Sequence, residues 1–490
     1  MVHEVLKMRK LLTLSILLLI AAVETRAATP TFVQSVSHSD MSNASIAYWK
    51  MSLPNPTQAG NAIVMGCAWG SSSDTISVTD DKSNGWTSVT VVQDGGNGES
   101  LQIWYALNVA SGTRLITVTP SASELYVQCM AAEFYNVATS SAADGSAGRT
   151  TSGTSISTGS FSTGTAGDLI FHWTFVDSGP GTTTPLSFAS AGSFSLLTAD
   201  GTSYSASQYE VQGSAGSINP TITTGVSVGS AMTSAIALKA ASAGSAPAAG
   251  IRVQSIQEMA FPMFMSSTPA SFALQVPSSG NLIVVVWNGS TTYKITGLSS
   301  TPSNTWSHTA ASTDNGGSIW IWYAANASTA STMTVTITQS QAMPAGNGNI
   351  IAFYDVAGAA TSSYDTYAGQ TGTLNATSGT VTGPSITPST SNGVIIGGIQ
   401  ENQESACAVS TGYFDSVQTD QYQYLSLDAD GGYMHYYNPN TSAVNVNWTY
   451  CDTNGANNVG PWWSQVAAFK APAAGGSAPP PTQMSMGVGN

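Results

Sequence analysis

The residues best suited to chemistry lie between Glu401 and Trp463, where Tyr413, Phe414, Tyr422, Tyr424, Tyr433, Tyr436, Tyr437, Trp448, Tyr450, Trp462 and Trp463 crowd into one segment. Aromatic faces beside polar groups suit sugars, whose C–H bonds pack on the ring while hydroxyls find acceptors. Alternation along a strand puts Tyr422 and Tyr424 on one face and Tyr433, His435 and Tyr437 on another. Tyr422, Tyr424, Tyr433, Tyr437, Trp448 and Trp462 are therefore the candidate ligand-binding residues; the competing reading is that such rings fill a core. Glu401, Glu404, Asp415, Asp420 and Asp428 share the segment. A glycosidase would need two of them about 5 to 10 Å apart across a cleft.

Asp428 and Asp430 before Gly431 resemble the opening of a calcium loop, without its third acidic position and terminal Glu. Asp80 and Asp81, ahead of Asn84-Gly85, offer carboxylates to a hard cation or close an Asx turn. Calcium is the one cofactor these residues suggest. There is no HExxH, no GxSxG elbow, no P-loop and no GxGxxG between a strand and a helix. His38, His172, His308 and His435 are scattered without metal-ligand spacing.

The elements that position these residues come twice. Ile103-Trp104-Tyr105-Ala106 returns as Ile321-Trp322-Tyr323-Ala324, Phe134-Tyr135-Asn136-Val137 as Phe353-Tyr354-Asp355-Val356, and Gly60-Asn61-Ala62-Ile63-Val64 as Gly280-Asn281-Leu282-Ile283-Val284. Ala237-Leu238-Lys239 likewise matches Ala468-Phe469-Lys470. An offset of about 220 residues makes the repeating unit a whole domain. Both copies read as all-β: Ile63, Met65, Cys67 and Trp69 alternate on one face, and Arg114–Thr119 and Met333–Thr338 alternate likewise. Asp94-Gly95-Gly96 and Asp314-Asn315-Gly316-Gly317 mark hairpins.

The expected fold is all-β, with two tandem jelly-roll or immunoglobulin-like β-sandwich domains. The expected domains are residues 28–241 and 251–472. A Pro/Ala/Gly/Ser linker over 242–250 joins them, and a disordered tail is expected over 473–490.

Lys7, Arg9 and Lys10 precede an apolar run from Leu11 to Val23, and Thr25-Arg26-Ala27 supplies small residues for cleavage, so residues 1–27 read as a secretory signal. The apolar run is short for a membrane span. The chain holds 12 Lys+Arg and 26 Asp+Glu; removing the four basic and two acidic residues of the signal leaves 8 against 24, a net charge of −16. That balance argues against nucleic acid, which is bound chiefly by neutralising phosphates, and against anionic membrane surfaces; with no apolar run long enough to span, no membrane insertion is expected. Cysteines fall two per domain, Cys67 with Cys129 and Cys407 with Cys451, and an exported chain is expected to use them as one disulfide each.

The Gly-Asn-(Leu/Ala)-Ile-Val strand, the Thr79-to-Trp86 turn with its Asp80 and Asn84-Gly85, the Trp-Tyr-Ala strand, the Thr-Val-Thr strand and the Ala-Glu-Phe-Tyr strand succeed one another in both halves. In this the chain resembles a largely uncharacterised repeat of secreted proteins from soil bacteria, particularly acidobacteria. The resemblance implies a secreted β-sandwich and little about activity. The second copy departs from it, with Ser300 for Asp80 and, by this alignment, Ala352 for Glu133.

The function expected from these features is a secreted, non-catalytic binding or adhesion protein, extracellular or at the cell surface. Its partner would be an extracellular polysaccharide or cell-surface glycan, held through the second domain. The alternatives are a self-associating subunit of a surface layer, fibre or biofilm matrix, and a polysaccharide hydrolase or lyase using the acidic residues of the second domain.

Overall fold

The structure is a computed structural model and describes residues 28–40, 48–124, 126–178, 186–200, 204–241, 250–260, 270–274, 279–314, 317–328, 333–342, 350–374, 379–401, 409–414, 417–420, 431–450 and 460–472. Apart from a 3-10 turn at Thr291–Tyr293, every regular element among them is a strand, as the alternating patterns require. Met333–Gln339 shows the rule plainly: Met333, Val335 and Ile337 are buried while Thr334 and Thr336 are half-buried. The two expected hairpins form, Val92–Asp94 pairing with Glu99–Ala106 and Ser312–Asp314 with Gly317–Ala324.

The two repeats share sheets. A central sheet of 12 strands runs from Ser307–His308 through Gly317–Ala324, Leu282–Ser290, Ile350–Ala357 and Arg252–Ala260. It then continues into the first repeat as Thr31–Asp40, Gln128–Tyr135, Ala62–Trp69, Glu99–Ala106 and Trp86–Ser88. The join is a parallel pair in which Ser35 faces Ser255 and Val36 faces Ile256. Val33-Gln34-Ser35-Val36 recurs as Val253-Gln254-Ser255-Ile256, so equivalent residues lie side by side. At its far end His38 contacts Glu258, both buried. A second sheet, of 9 strands, also crosses over, Ala199 of the first repeat pairing with Ala273 of the second.

The strand order is mirrored about this join; Val36 and Ile256 at the join still face one core, but in the strands beyond it matching residues turn to opposite faces. Ile63 and Met65 of the first repeat therefore share a core with Val284 and Val286 of the second, whereas their sequence counterparts Ile283 and Val285 lie in a different cluster. The shared core also takes in Trp104, Ile116, Val253, Val394, Tyr437 and Phe469. The two repeats are therefore packed against each other through common strands and a common core, and the 242–249 linker segment, outside the described residues, is not their only connection.

Layers lie on both sides of the central sheet, so Ala62–Trp69 is buried along its whole length. On one side of that strand Gly66 is obligatory, because a Cβ there would come within 2.5 Å of the Trp173 ring. In the second repeat the sheet of Tyr364–Leu374, Gly460–Phe469, Gly393–Glu401 and Gly431–Asn438 covers the central sheet. That sheet is itself backed by one of Gly379–Ile386, Val444–Tyr450, Val409–Phe414 and Val417–Asp420.

Candidate functional site

This layering decides where the expected aromatic residues go. Trp448 is fully buried between the two outer sheets of the second repeat, its Nε1 donating to Ser464 Oγ at 3.1 Å. Trp462 belongs to the same core and lies over Gly372, where a Cβ would meet its ring at 2.5 Å. Tyr433 is buried edge-on to Tyr354, ring centroids 5.8 Å apart, and Tyr437 is buried in the core shared by the repeats. These four rings have protein on their faces and offer no platform to a ligand; the core reading holds for them. A strand covered on both sides buries consecutive residues, as with Trp462 and Trp463, so aromatic density there reflects two cores. Tyr422, Tyr424, Asp428, Asp430, Cys407 and Cys451 lie outside the described residues, as do Glu404 and Asp415.

Aromatic surface is found on a different flank of the second repeat. Tyr323, on the central sheet, stacks on Tyr364, on the covering sheet, with centroids 4.9 Å apart and planes at 1°. Phe469 meets both edge-on, at 5.6 and 6.4 Å, and fixes the pair from beneath. Both tyrosines are half-buried, and Tyr367, three residues along the same strand from Tyr364 and past a bulge, is 41% exposed. Burial raises the pKa of Tyr323 and of Tyr364, the latter also through Tyr323, Tyr367 and Asp365, so both phenols stay neutral near pH 7. The strand is anchored by Asp365, which accepts hydrogen bonds from the Ser389 amide (2.7 Å) and hydroxyl and has Lys470 Nζ at 3.9 Å.

The anchor is duplicated and the aromatics are not. Asp144 stands 3.6 Å from Lys239 and accepts from the Gly164 and Thr165 amides. Register equates Ala143, opposite Leu238, with Tyr364, opposite Phe469, and equates Ser146, opposite Ile236, with Tyr367, opposite Ala467. The first repeat thus keeps Tyr105 but has Ala143 and Ser146 where the second has tyrosines. Sequence reading overlooked this cluster because its members are scattered over about 45 residues; the signal that finds it is aromatic substitution at exposed positions of an otherwise Ser/Thr-rich edge strand.

Polar groups of the two repeats also correspond, in a register the sequence motifs misassign. Ile63 pairs with Glu133 and Ile283 with Asp355, so Asp355, and not Ala352, is the counterpart of Glu133. Glu133 is buried and accepts from Gln34 Nε2 (2.6 Å), Asn61 Nδ2 (2.7 Å) and the Gln58 amide (3.0 Å). Asp355 accepts from Asn281 Nδ2 at 2.6 Å. Burial raises both carboxyls, Asp355 to about 7, against a lowering influence of Arg252. The buried carboxyl therefore exists in both repeats, correcting its expected confinement to the first.

Asp80 acts as a turn hub. Its Oδ1 accepts from the Lys82 and Asn84 amides (2.9 and 3.2 Å) and Asn84 Nδ2 (3.1 Å), and its Oδ2 from Trp86 Nε1 (2.8 Å). Ser300 Oγ receives the equivalent side-chain donors, Asn304 Nδ2 at 3.0 Å and Trp306 Nε1 at 3.3 Å. Asp81 Oδ1 accepts from the Arg114 and Leu115 amides. Protein donors thus take the oxygens a cation would use. Cys67 and Cys129 face each other on paired strands and form a disulfide; Trp287 and Ile351 occupy that place in the second repeat.

Three carboxyl pairs lie in the first repeat. Glu99 is raised to about 9 by burial and the neighbouring Asp177, Glu124 to about 7 by burial and the neighbouring Asp74, and Asp168 to about 6 by burial and the neighbouring Asp144. Among the described residues no three His, Cys, Asp or Glu side chains are grouped to hold a metal ion.

No known protein family matches the chain, and no curated protein matches it. Among solved structures it is similar to one described as a "putative secreted protein from Eubacterium rectale", at 11% identity over 45% of this chain and 75% of that one, with a TM-score of 0.15. A likeness at that score carries no argument about fold or function.

Proposed function

We propose that the protein is an exported binding protein that adheres to extracellular polysaccharide through Tyr323, Tyr364 and Tyr367. The observation that carries this reading is a half-buried stacked pair, Tyr323 and Tyr364, beside the exposed Tyr367 on the second repeat, where the first repeat has Ala143 for Tyr364 and Ser146 for Tyr367. Tyrosines present both ring surface and hydroxyl donors, the combination that a sugar's C–H face and hydroxyls require. Export is supported by the basic–apolar leader of residues 1–27 and by the Cys67–Cys129 bridge.

A shallow aromatic surface binds a single sugar weakly, so a repetitive polymer is the fitting partner. The test is retention of the mature chain, residues 28–490, on a panel of insoluble polysaccharides, with release by the matching soluble oligosaccharide. Saturable, competed retention supports the reading. Passage of the chain through every matrix of the panel opposes it.

A further inference from the structure

Lys239 follows the last strand of the first repeat, Thr221–Leu238, and Asp144 lies beside it on Ala143–Ser157, because the register sets Ala143 opposite Leu238. The Lys239 amide donates to Ala142 O at 2.8 Å, which fixes the two chains side by side. Lys239 Nζ stands 3.6 Å from Asp144 Oδ1, so the carbon Cγ is one bond beyond that contact. The other carboxyl oxygen is cradled. Oδ2 accepts from the Gly164 amide at 2.7 Å and the Thr165 amide at 2.8 Å, and the Thr165 hydroxyl lies 2.8 Å away. A side chain at Gly164 would crowd the cradle, its Cβ 3.3 Å from Asp144 Oδ1.

A second carboxyl adjoins this pair. Asp168 is fully buried, with Oδ1 2.6 Å from the same Thr165 hydroxyl and Oδ2 without a hydrogen-bond partner. Burial, with Asp144 beside it and against the pull of Lys239, pushes Asp168 up to about 6. A surface ion pair has no use for a buried carboxyl poised to take and give a proton; a condensation has. The second repeat keeps the ion pair and lacks that carboxyl. Lys470 Nζ stands 3.9 Å from Asp365 Oδ1, but Leu169 opposite Leu238 and Val394 opposite Phe469 make Gly393 the counterpart of Asp168.

We infer that the first repeat closes an intramolecular amide bond between Lys239 Nζ and Asp144 Cγ, with Asp168 as its proton relay, and that Lys470 and Asp365 form no such bond. Nζ attacks Cγ, and negative charge develops on Oδ2, where two backbone amides already point. Asp168 carries two of the three ammonium protons to Oδ1. The Cγ–Oδ1 bond breaks and Oδ1 leaves as water, while the third proton stays on the new amide nitrogen. An ammonium and a carboxylate become an amide and a water; nothing is oxidised or reduced, and Asp168 ends as it began. Strand register supplies the high effective concentration that lets the condensation proceed without a co-reactant. The bond staples the last strand of the first repeat to Ala143–Ser157.

The test is the intact mass of the mature chain, residues 28–490, with its disulfides reduced, beside Lys239→Arg and Asp168→Asn samples of equal age. The parent is expected to weigh one water, about 18 Da, less than its sequence. Its tryptic digest should hold residues 115–149 joined to 150–252, since an acylated Lys239 is not cut. Lys239→Arg should have its full sequence mass, and the dehydrated fraction should fall by about tenfold or more in Asp168→Asn. A parent of full mass overturns the inference. So does a loss of water that survives in Lys239→Arg, as a succinimide at Asp144-Gly145 would. A bond that forms as completely in Asp168→Asn as in the parent, or one mapped to Lys470, also overturns it.

Discussion

Tyr437 of the second repeat donates its hydroxyl hydrogen bond to Asn55 Oδ1 of the first at 2.6 Å, and the same hydroxyl accepts from the Val253 amide at 2.8 Å. Asn55 returns the contact through Nδ2 to Val253 O at 2.7 Å, and its own amide is held by Gln34 Oε1, whose Nε2 reaches Glu133. One phenol thus ties the shared core to a buried polar chain that ends on a carboxylate. Tyr437→Phe keeps the ring and leaves the buried Val253 amide and the part-buried Asn55 Oδ1 without this partner, so unfolding in urea is expected to become easier by about 1–3 kcal/mol. An unchanged midpoint would show that the two repeats do not depend on this contact.

Burial pushes the Asp355 carboxyl up to about 7 in the folded chain, from 3.8 in the unfolded one. Between those values the folded state keeps a proton that the unfolded chain has released, so this group makes stability fall as pH rises from about 4 to about 7. Glu133, also raised by burial, acts in the same direction. Asp355→Asn should flatten that part of the Tm–pH profile relative to the parent, because its uncharged amide oxygen still accepts from Asn281. The carboxyl pairs of the first repeat titrate in both proteins, so the difference between the two profiles isolates Asp355. Parallel profiles would contradict the assignment.

Asp80 and Ser300 hold equivalent turns with different chemistry. Asp80→Ser should therefore fold and lose about 1–2 kcal/mol, the worth of charge-assisted bonds to the Lys82 and Asn84 amides. Millimolar calcium is expected to shift the Tm of parent and variant equally. A calcium-dependent stabilisation that vanishes in the variant would make the turn a cation site.

The Cys67–Cys129 bridge spans a sequence separation of 62 residues. By the chain-entropy relation it stabilises the fold by about 4 kcal/mol. Cys67→Ala/Cys129→Ala should lower the urea midpoint correspondingly, with the slope m rising as the unfolded chain expands. Equal stability of parent and variant would mean that the bridge does not form in the exported protein.

Much of the fold was legible because period-2 alternation and Gly/Asp turns are local: the faces of Ile63, Met65, Cys67 and Trp69, and both hairpins, follow directly. What was hidden is non-local. The Phe-Tyr-Asn-Val and Phe-Tyr-Asp-Val motifs align by identity, yet strand pairing equates Glu133 with Asp355, an odd shift that turns each side chain to the other face. Nor could pattern alone show that Gly460–Phe469 is covered on both sides, which is why Trp448, Trp462, Tyr433 and Tyr437 read as a surface and prove to be core. The tyrosines that do reach solvent come together only once the central and covering sheets are stacked.

The most direct test of the binding account is affinity electrophoresis of the mature chain, in gels containing the polysaccharide that retains it, beside Tyr364→Ala/Tyr367→Ala and Trp448→Phe. Loss of aromatic stacking should weaken binding at least tenfold in the tyrosine variant, roughly 1.4 kcal/mol or more, with mobility in polysaccharide-free gels unchanged. Trp448→Phe should lower stability and leave retardation intact. Retardation that survives in the tyrosine variant, or disappears in Trp448→Phe while the protein remains folded, would contradict the account.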